Sequence, residues 1–403
     1  MKSLPGAWSP LIEGETAAQA LAAVEAIARD LSSSSDPLAA PGPGLIRGEV
    51  DLALFFAYLE RALGRAEAGE RAQQHLERAV DELSEGPAPA ASLYGGFAGV
   101  AWVTEHLVAG ELSAEDEDPN AEIDEALLSL LRRGPWREEF DLIGGLVGWG
   151  VYALERLPRP SAAAMLPLVV SRLAERAEPG AQGLVWRHPS SSAGEPDPGM
   201  AHGAAGVIAL LARMLQEGAA GPQAAALLDA AVGGVLAPSP AVKEGEGDLA
   251  WCAGDAGLSV ALLAAGRAHG REDWERAARR LATAAAARYA DVPEGFDPAL
   301  CHGTAGLSHV FHRLHQLTGD PALLTAARRW LERTLAQRRQ GEGIGGYLCR
   351  APQSDGRIGW IADPGFLGGA AGIGLALLAA ATPCEPAWDR LLLLSGRPGG
   401  PLL

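Results

Sequence analysis

The sequence predicts an all-α fold in which a buried helix and a surface helix alternate around a closed ring. Three observations carry that reading. A Gly-x-x-Gly turn recurs six times, an apolar run of helical length follows each turn, and amphipathic segments fill the intervals. Repetition at this period is the signature of stacked supersecondary units.

The clear turns read "GGFAG" at Gly96 and Gly99, "GGLVG" at Gly145 and Gly148, and "HGAAG" at Gly203 and Gly206. They continue as "AGDAG" at Gly254 and Gly257, "HGTAG" at Gly303 and Gly306, and "GGAAG" at Gly369 and Gly372. The first glycines are separated by 49, 58, 51, 49 and 66 residues. A step of 48 back from Gly96 reaches Gly48 in "RGEVDLALFF", a degenerate copy with Asp51 in place of the second glycine. Seven units therefore fill a single domain over residues 1–403, with turns near 48, 96, 145, 203, 254, 303 and 369.

The runs after the turns, such as "VIALLARML" from Val207 and "LSVALLAAG" from Leu258, are apolar on nearly every side and read as buried helices. In "REDWERAARRLATAAAARYA" the residues Trp274, Ala277, Ala278, Leu281 and Ala285 keep helical spacing opposite Arg and Glu. Inner helices that are apolar all round need cover on both sides, so a closed ring is favoured over an open solenoid. Strand signals are weak, leaving room for a short hairpin or two in the longer connections.

Composition narrows the function. A net charge of -17 gives no basic face for nucleic acid. The first residues lack an apolar signal segment, so a cytoplasmic protein is expected, with peripheral association to a membrane complex allowed. The longest uncharged run, from Gly365 to Pro383, is dominated by Gly and Ala and matches the other repeats, so no transmembrane segment is expected. Four cysteines (252, 301, 349, 384) fit thiols held for chemistry or metal better than a disulfide framework.

The glycines alone explain architecture, since Gly before a buried helix permits close backbone approach. Chemistry must come from what decorates them. Cys252 and Cys301 each lie two residues before the first glycine of consecutive units, and His202 and His302 each lie one before. Asp141 lies four before Gly145. In a ring of equivalent units such positions converge on one rim. Two thiolates and one imidazole from Cys252, Cys301 and His302 suit zinc, and three protein ligands leave one tetrahedral position open, as in a catalytic site. His202 read alone could be a core histidine, and Asp141 could simply cap the helix after Gly145. Cys349 and Cys384 lack repeat register and read as small buried hydrophobes. His309, His312 and His315 follow helical spacing and read as structural or solvated.

The segments "DLIGGLVG" (141–148), "AHGAAG" (201–206), "AWCAGDAG" (250–257) and "LCHGTAG" (300–306) resemble, in order and spacing, the signatures of the lanthionine synthetase C family. The resemblance runs from about Gly48 to Gly372. It implies an α/α toroid of seven inner and seven outer helices, with zinc at one end held by Cys252, Cys301 and His302. It implies His202 as the proton-transfer residue and Asp141 as its acidic partner. The implied reaction adds a peptide Cys thiol to dehydroalanine or dehydrobutyrine, closing a lanthionine or methyllanthionine ring. The implied partner is a dehydrated precursor peptide, core and leader, and a separate dehydratase and an exporter are the further partners it allows. Two positions depart from the family pattern: Ala253 stands where Tyr is frequent, and "GDLAWC" has Asp248 and no base. A relative that couples glutathione to dehydroamino acids, and a non-catalytic zinc-bearing scaffold that binds peptides, are the alternative functions.

Overall fold

The computed structural model describes residues 8–33, 42–85, 90–108, 118–188, 196–237, 248–293, 295–352 and 356–397. Its helices are of the two kinds expected. The buried set is α2 (Glu49–Leu63), α4 (Phe97–Val108), α6 (Leu146–Arg156), α8 (Ala204–Gln216), α10 (Asp255–His269), α12 (Thr304–Thr318) and α14 (Ala370–Ala381). The covering set is α1 (Gly14–Ser33), α3 (Ala66–Glu85), α5 (Ala121–Arg132), α7 (Pro160–Arg176), α9 (Pro222–Leu236), α11 (Glu272–Ala287) and α13 (Pro321–Ala336). Every member of the buried set starts directly after the first glycine of its repeat, including α2 after the degenerate Gly48.

The amphipathic reading of α11 holds with a small shift: Trp274, Ala278, Ala282 and Ala285 are its buried face, while Ala277 and Leu281 lie at the margin. The buried helices are less uniformly apolar than their sequences suggest. Arg156 on α6 is fully buried, held by Glu105, Asp118 and Asp124 at 2.5 to 2.6 Å. A charge without water needs such partners.

The chain divides into two compact units. One holds α1–α3, α12–α14 and a hairpin of β3 (Cys349–Pro352) with β4 (Ile358–Ile361). There α14 packs between α12 and α2, so the last repeat helix is a neighbour of the first, and α1 covers α14. The other holds α4–α10, α11 as far as Ala285, a hairpin of β1 (Glu178–Pro179) with β2 (Leu184–Val185), and the C-terminal segment. In it α4, α6, α8 and α10 lie in sequence order side by side. Both hairpins occupy the longer connections, as expected. No helix among the described residues is long and apolar enough to cross a membrane, and the uncharged run after Gly365 forms α14.

The repeat turn has a local cause that extends beyond its two glycines. In four units an Asp stands six residues before the first glycine: Asp197, Asp248, Asp297 and Asp363. Each accepts, through Oδ1, the N–H two residues on, from Gly199, Ala250, Ala299 and Gly365, at 2.7 to 2.8 Å. Each also offers its carbonyl to the first N–H of the buried helix, from Ala204, Asp255, Thr304 and Ala370, at 2.8 to 2.9 Å. The loop thus folds back under its own helix and satisfies an N–H that the helix cannot. A Cβ at Gly303 would strike the Asp297 carbonyl, and one at Gly306 the Leu300 carbonyl. Gly303 has φ -124°, so what it supplies is room rather than a left-handed conformation.

Candidate active site

Successive loops are tied together by backbone hydrogen bonds between residues two before the first glycine. In one unit Tyr94 N–H donates to Ile143 O at 3.3 Å and Ala201 N–H to Cys252 O at 2.9 Å. Leu142, one residue off that register, donates to Ala201 O at 3.1 Å. In the other unit Cys301 N–H donates to Leu367 O at 2.8 Å. Loops joined in this way bring equivalent repeat positions together.

Cys252 sits in the turn before α10. Trp251, buried beneath it, donates its indole N–H to Leu392 O at 3.0 Å and so pins the turn to the C-terminal segment. The thiol itself is half-buried. Cys301 is likewise half-buried, and the neighbouring His302 ring is exposed. His302 Nε2 lies 3.4 Å from Oδ2 of Asp297, a buried carboxylate that also accepts Arg350 N–H from β3 at 2.7 Å. A carboxylate behind an imidazole fixes the orientation and tautomer a metal-binding ring needs. Cys252 in one unit, and Cys301 with His302 in the other, are the thiols and the imidazole that repeat register puts forward as metal ligands. The donor set of two soft thiols and one imidazole fits zinc.

Asp141 and His202 belong to one unit and are in direct contact. His202 Nδ1 makes a short hydrogen bond to Asp141 Oδ2, while Asp141 Oδ1 accepts Gly144 N–H at 2.7 Å. Asp141 does not cap α6, whose N-cap Gly145 has no side-chain hydrogen bond; it braces the turn just before that helix and holds the histidine. It is 1% exposed, whereas the His202 ring is 42% exposed. The hydrogen bond to Asp141 raises the His202 pKa above its ordinary value, against the opposing effect of burial. An imidazole held at Nδ1 by a carboxylate keeps Nε2 for exchange with a reacting group.

A third residue joins this pair, and repeat register gives no hint of it. His188 Nε2 lies 3.2 Å from the same Asp141 oxygen, and potential ligand atoms of Asp141, His188 and His202 all fall within 4.8 Å of one another. His188 lies 15 residues before Gly203, just past β2, in "VWRHPSS", where a lone histidine carries no motif.

The remaining candidates stand apart. His309 and His312 pack against Trp8 at ring-centroid distances of 5.8 and 4.3 Å. Burial, with His309 and Arg313 nearby, pushes the His312 pKa down to about 2. Cys349 is buried and its thiol pKa is raised by that burial, as is that of Cys384. Asp248 is occupied in its turn, accepting Ala250 N–H.

A helical-repeat protein with loop thiols and imidazoles in register and a carboxylate-held histidine is the class these observations define. Residues 42–393 match the family model of the lanthionine synthetase C-like proteins, and the chain belongs to that family. The fold is similar to that of a solved nisin cyclase, with a TM-score of 0.66 and 20% identity over 92% of this chain and 96% of that one. That likeness bears out the α/α toroid as the fold class. No curated protein sequence matches the chain.

Proposed function

We propose that the protein is a zinc-dependent, cytoplasmic lanthipeptide cyclase acting on a dehydrated precursor peptide. The observation that carries this reading is the Asp141–His202 pair hydrogen-bonded, through Ala201, to the turn bearing Cys252. Family membership and the nisin cyclase likeness support it.

Cys252, Cys301 and His302 would hold the ion and leave a position for the substrate thiol. A peptide Cys has a reference pKa of about 8.5, and zinc, when bound, would present that sulfur as a thiolate at neutral pH. Addition of the sulfur to the β-carbon of a dehydroamino acid leaves an enolate that must gain a proton at Cα. His202 would deliver that proton from Nε2, while Asp141 keeps the ring oriented and stabilises its charged form. The half-exposed ring, on a buried carboxylate, combines access with a fixed direction. A thiolate sulfur at the β-carbon and one proton at Cα thus add across one double bond, and the product is a thioether ring.

The test incubates the protein with a dehydrated, Cys-containing peptide, with and without glutathione, and alkylates the remaining thiols before mass spectrometry. Ring closure shows as protection from alkylation. If the thiols stay free while glutathione is consumed, the glutathione-adding alternative takes over. If no thiol is consumed although peptide binds, the protein is a scaffold.

A further inference from the structure

Asp141 carries two imidazoles on one oxygen, and the proposed reaction uses only one of them. His188 Nε2 stands 3.2 Å from Oδ2, an electrostatic approach rather than a well-aligned hydrogen bond. Its ring lies against that of His202, with centroids 4.7 Å apart and planes tilted by 44°, and Phe140 flanks it from the side at 6.4 Å. His188 is 9% exposed, so it faces the interior while His202 faces outward.

We propose that His188 is a positioning residue, which holds the Asp141 carboxylate and the His202 ring in the orientation that aims His202 Nε2 at the substrate. Gly144 N–H holds Oδ1 and the His202 ring holds Oδ2, but that ring is itself 42% exposed, so carboxylate and ring can still turn together. A second nitrogen at Oδ2, on a buried ring packed against that of His202, restrains that motion. Asp141 has almost no contact with water that could do the same. His188 is itself placed by rigid structure: two residues earlier, the buried Trp186 donates its indole N–H to Leu173 O of α7 at 3.1 Å. Sites supported by packed elements keep the accuracy that proton transfer requires. The alternative use of the same three side chains, as ligands of a metal ion, would need His202 Nδ1 to abandon the hydrogen bond it makes.

This inference rests on the proposed function for the direction of proton delivery, but the geometry can be tested without turnover. His188→Phe keeps the ring volume and removes the nitrogen, while His188→Gln can return a donor near the Nε2 position. The readouts are the nitrogen-15 NMR spectrum of the His202 imidazole, bound metal, and kcat and KM for ring closure. In His188→Phe the His202 ring resonances should move and kcat should fall by about tenfold to a hundredfold, with KM and metal content unchanged. His188→Gln should recover most of both effects, and it alone decides if His188→Phe does not fold. An unchanged His202 spectrum or an unchanged kcat in His188→Phe would overturn the positioning role, as would loss of one equivalent of bound metal. A shifted spectrum in a protein whose wild type closes no rings would overturn the proposed function and leave the positioning role intact.

Discussion

Ala201 donates its backbone N–H to the carbonyl of Cys252 at 2.9 Å, which sets the loop of His202 beside the turn of a candidate metal thiol. The bond joins equivalent positions of neighbouring repeats, and Cys301 makes the equivalent bond to Leu367. Register in the sequence becomes proximity through this ladder. It explains why residues 61 positions apart, Asp141 and His202, can hydrogen-bond to each other.

The proposed zinc site makes a prediction about sulfur. Wild-type protein should carry one zinc per chain, and Cys301→Ala should lose most of it while its helical circular dichroism persists, since the buried helices pack independently of the metal. Replacing both Cys349 and Cys384 by Ala should leave metal content and ring closure unchanged. Zinc loss in that double variant, measured by elemental analysis, would assign the ligands to the wrong sulfurs.

The turn geometry predicts a steric penalty at Gly306. An added methyl would press on the Leu300 carbonyl, one residue before Cys301. Gly306→Ala should cost about 1–3 kcal/mol, the usual range for overpacking. Gly295→Ala, where a Cβ meets nothing within 4 Å, should change stability by about 0.5 kcal/mol or less. Denaturant unfolding of the two variants compares them directly, and equal stability would remove the steric argument.

Asp51 predicts a pH dependence of stability. It replaces the second glycine of the degenerate repeat, and its Oδ2 accepts N–H from Gly48 at 3.2 Å and from Phe366 at 3.1 Å. Burial outweighs these donors and pushes its pKa up to about 8 from 3.8. Because the folded value is raised, its contribution is fully present below the unfolded value. It is lost as pH rises towards 8. Asp51→Asn keeps an acceptor oxygen and removes the charge, so its melting temperature should vary less across this range and exceed wild type at the alkaline end. An equal loss of stability at every pH would contradict the assignment.

The repeat architecture was legible because a buried helix needs an apolar sequence and a close-packed turn needs glycine, and both recur at a countable period. The candidate ligands and the Asp141–His202 pair were legible because each lies at or near the same turn. The turn aspartates, such as Asp297, were equally visible but carry meaning only once the loop is seen folding beneath its helix. His188 was not legible: it comes from a connection outside the repeat, and only the chain path after β2 brings it to Asp141. Buried Arg156 was hidden for a related reason, since its partners Asp118 and Asp124 lie on a different segment.

In the proposed reaction His202 transfers a proton and does not bind the metal. That role is tested most directly by measuring zinc content beside ring closure for His202→Ala on one dehydrated peptide. The account predicts a zinc-replete protein whose cyclisation falls by roughly two to four orders of magnitude, the range of general acid–base catalysis. Asp141→Ala should show a milder form of the same defect. A zinc-depleted His202→Ala protein would make His202 a ligand, and a zinc-replete variant with wild-type cyclisation would contradict its role as proton donor.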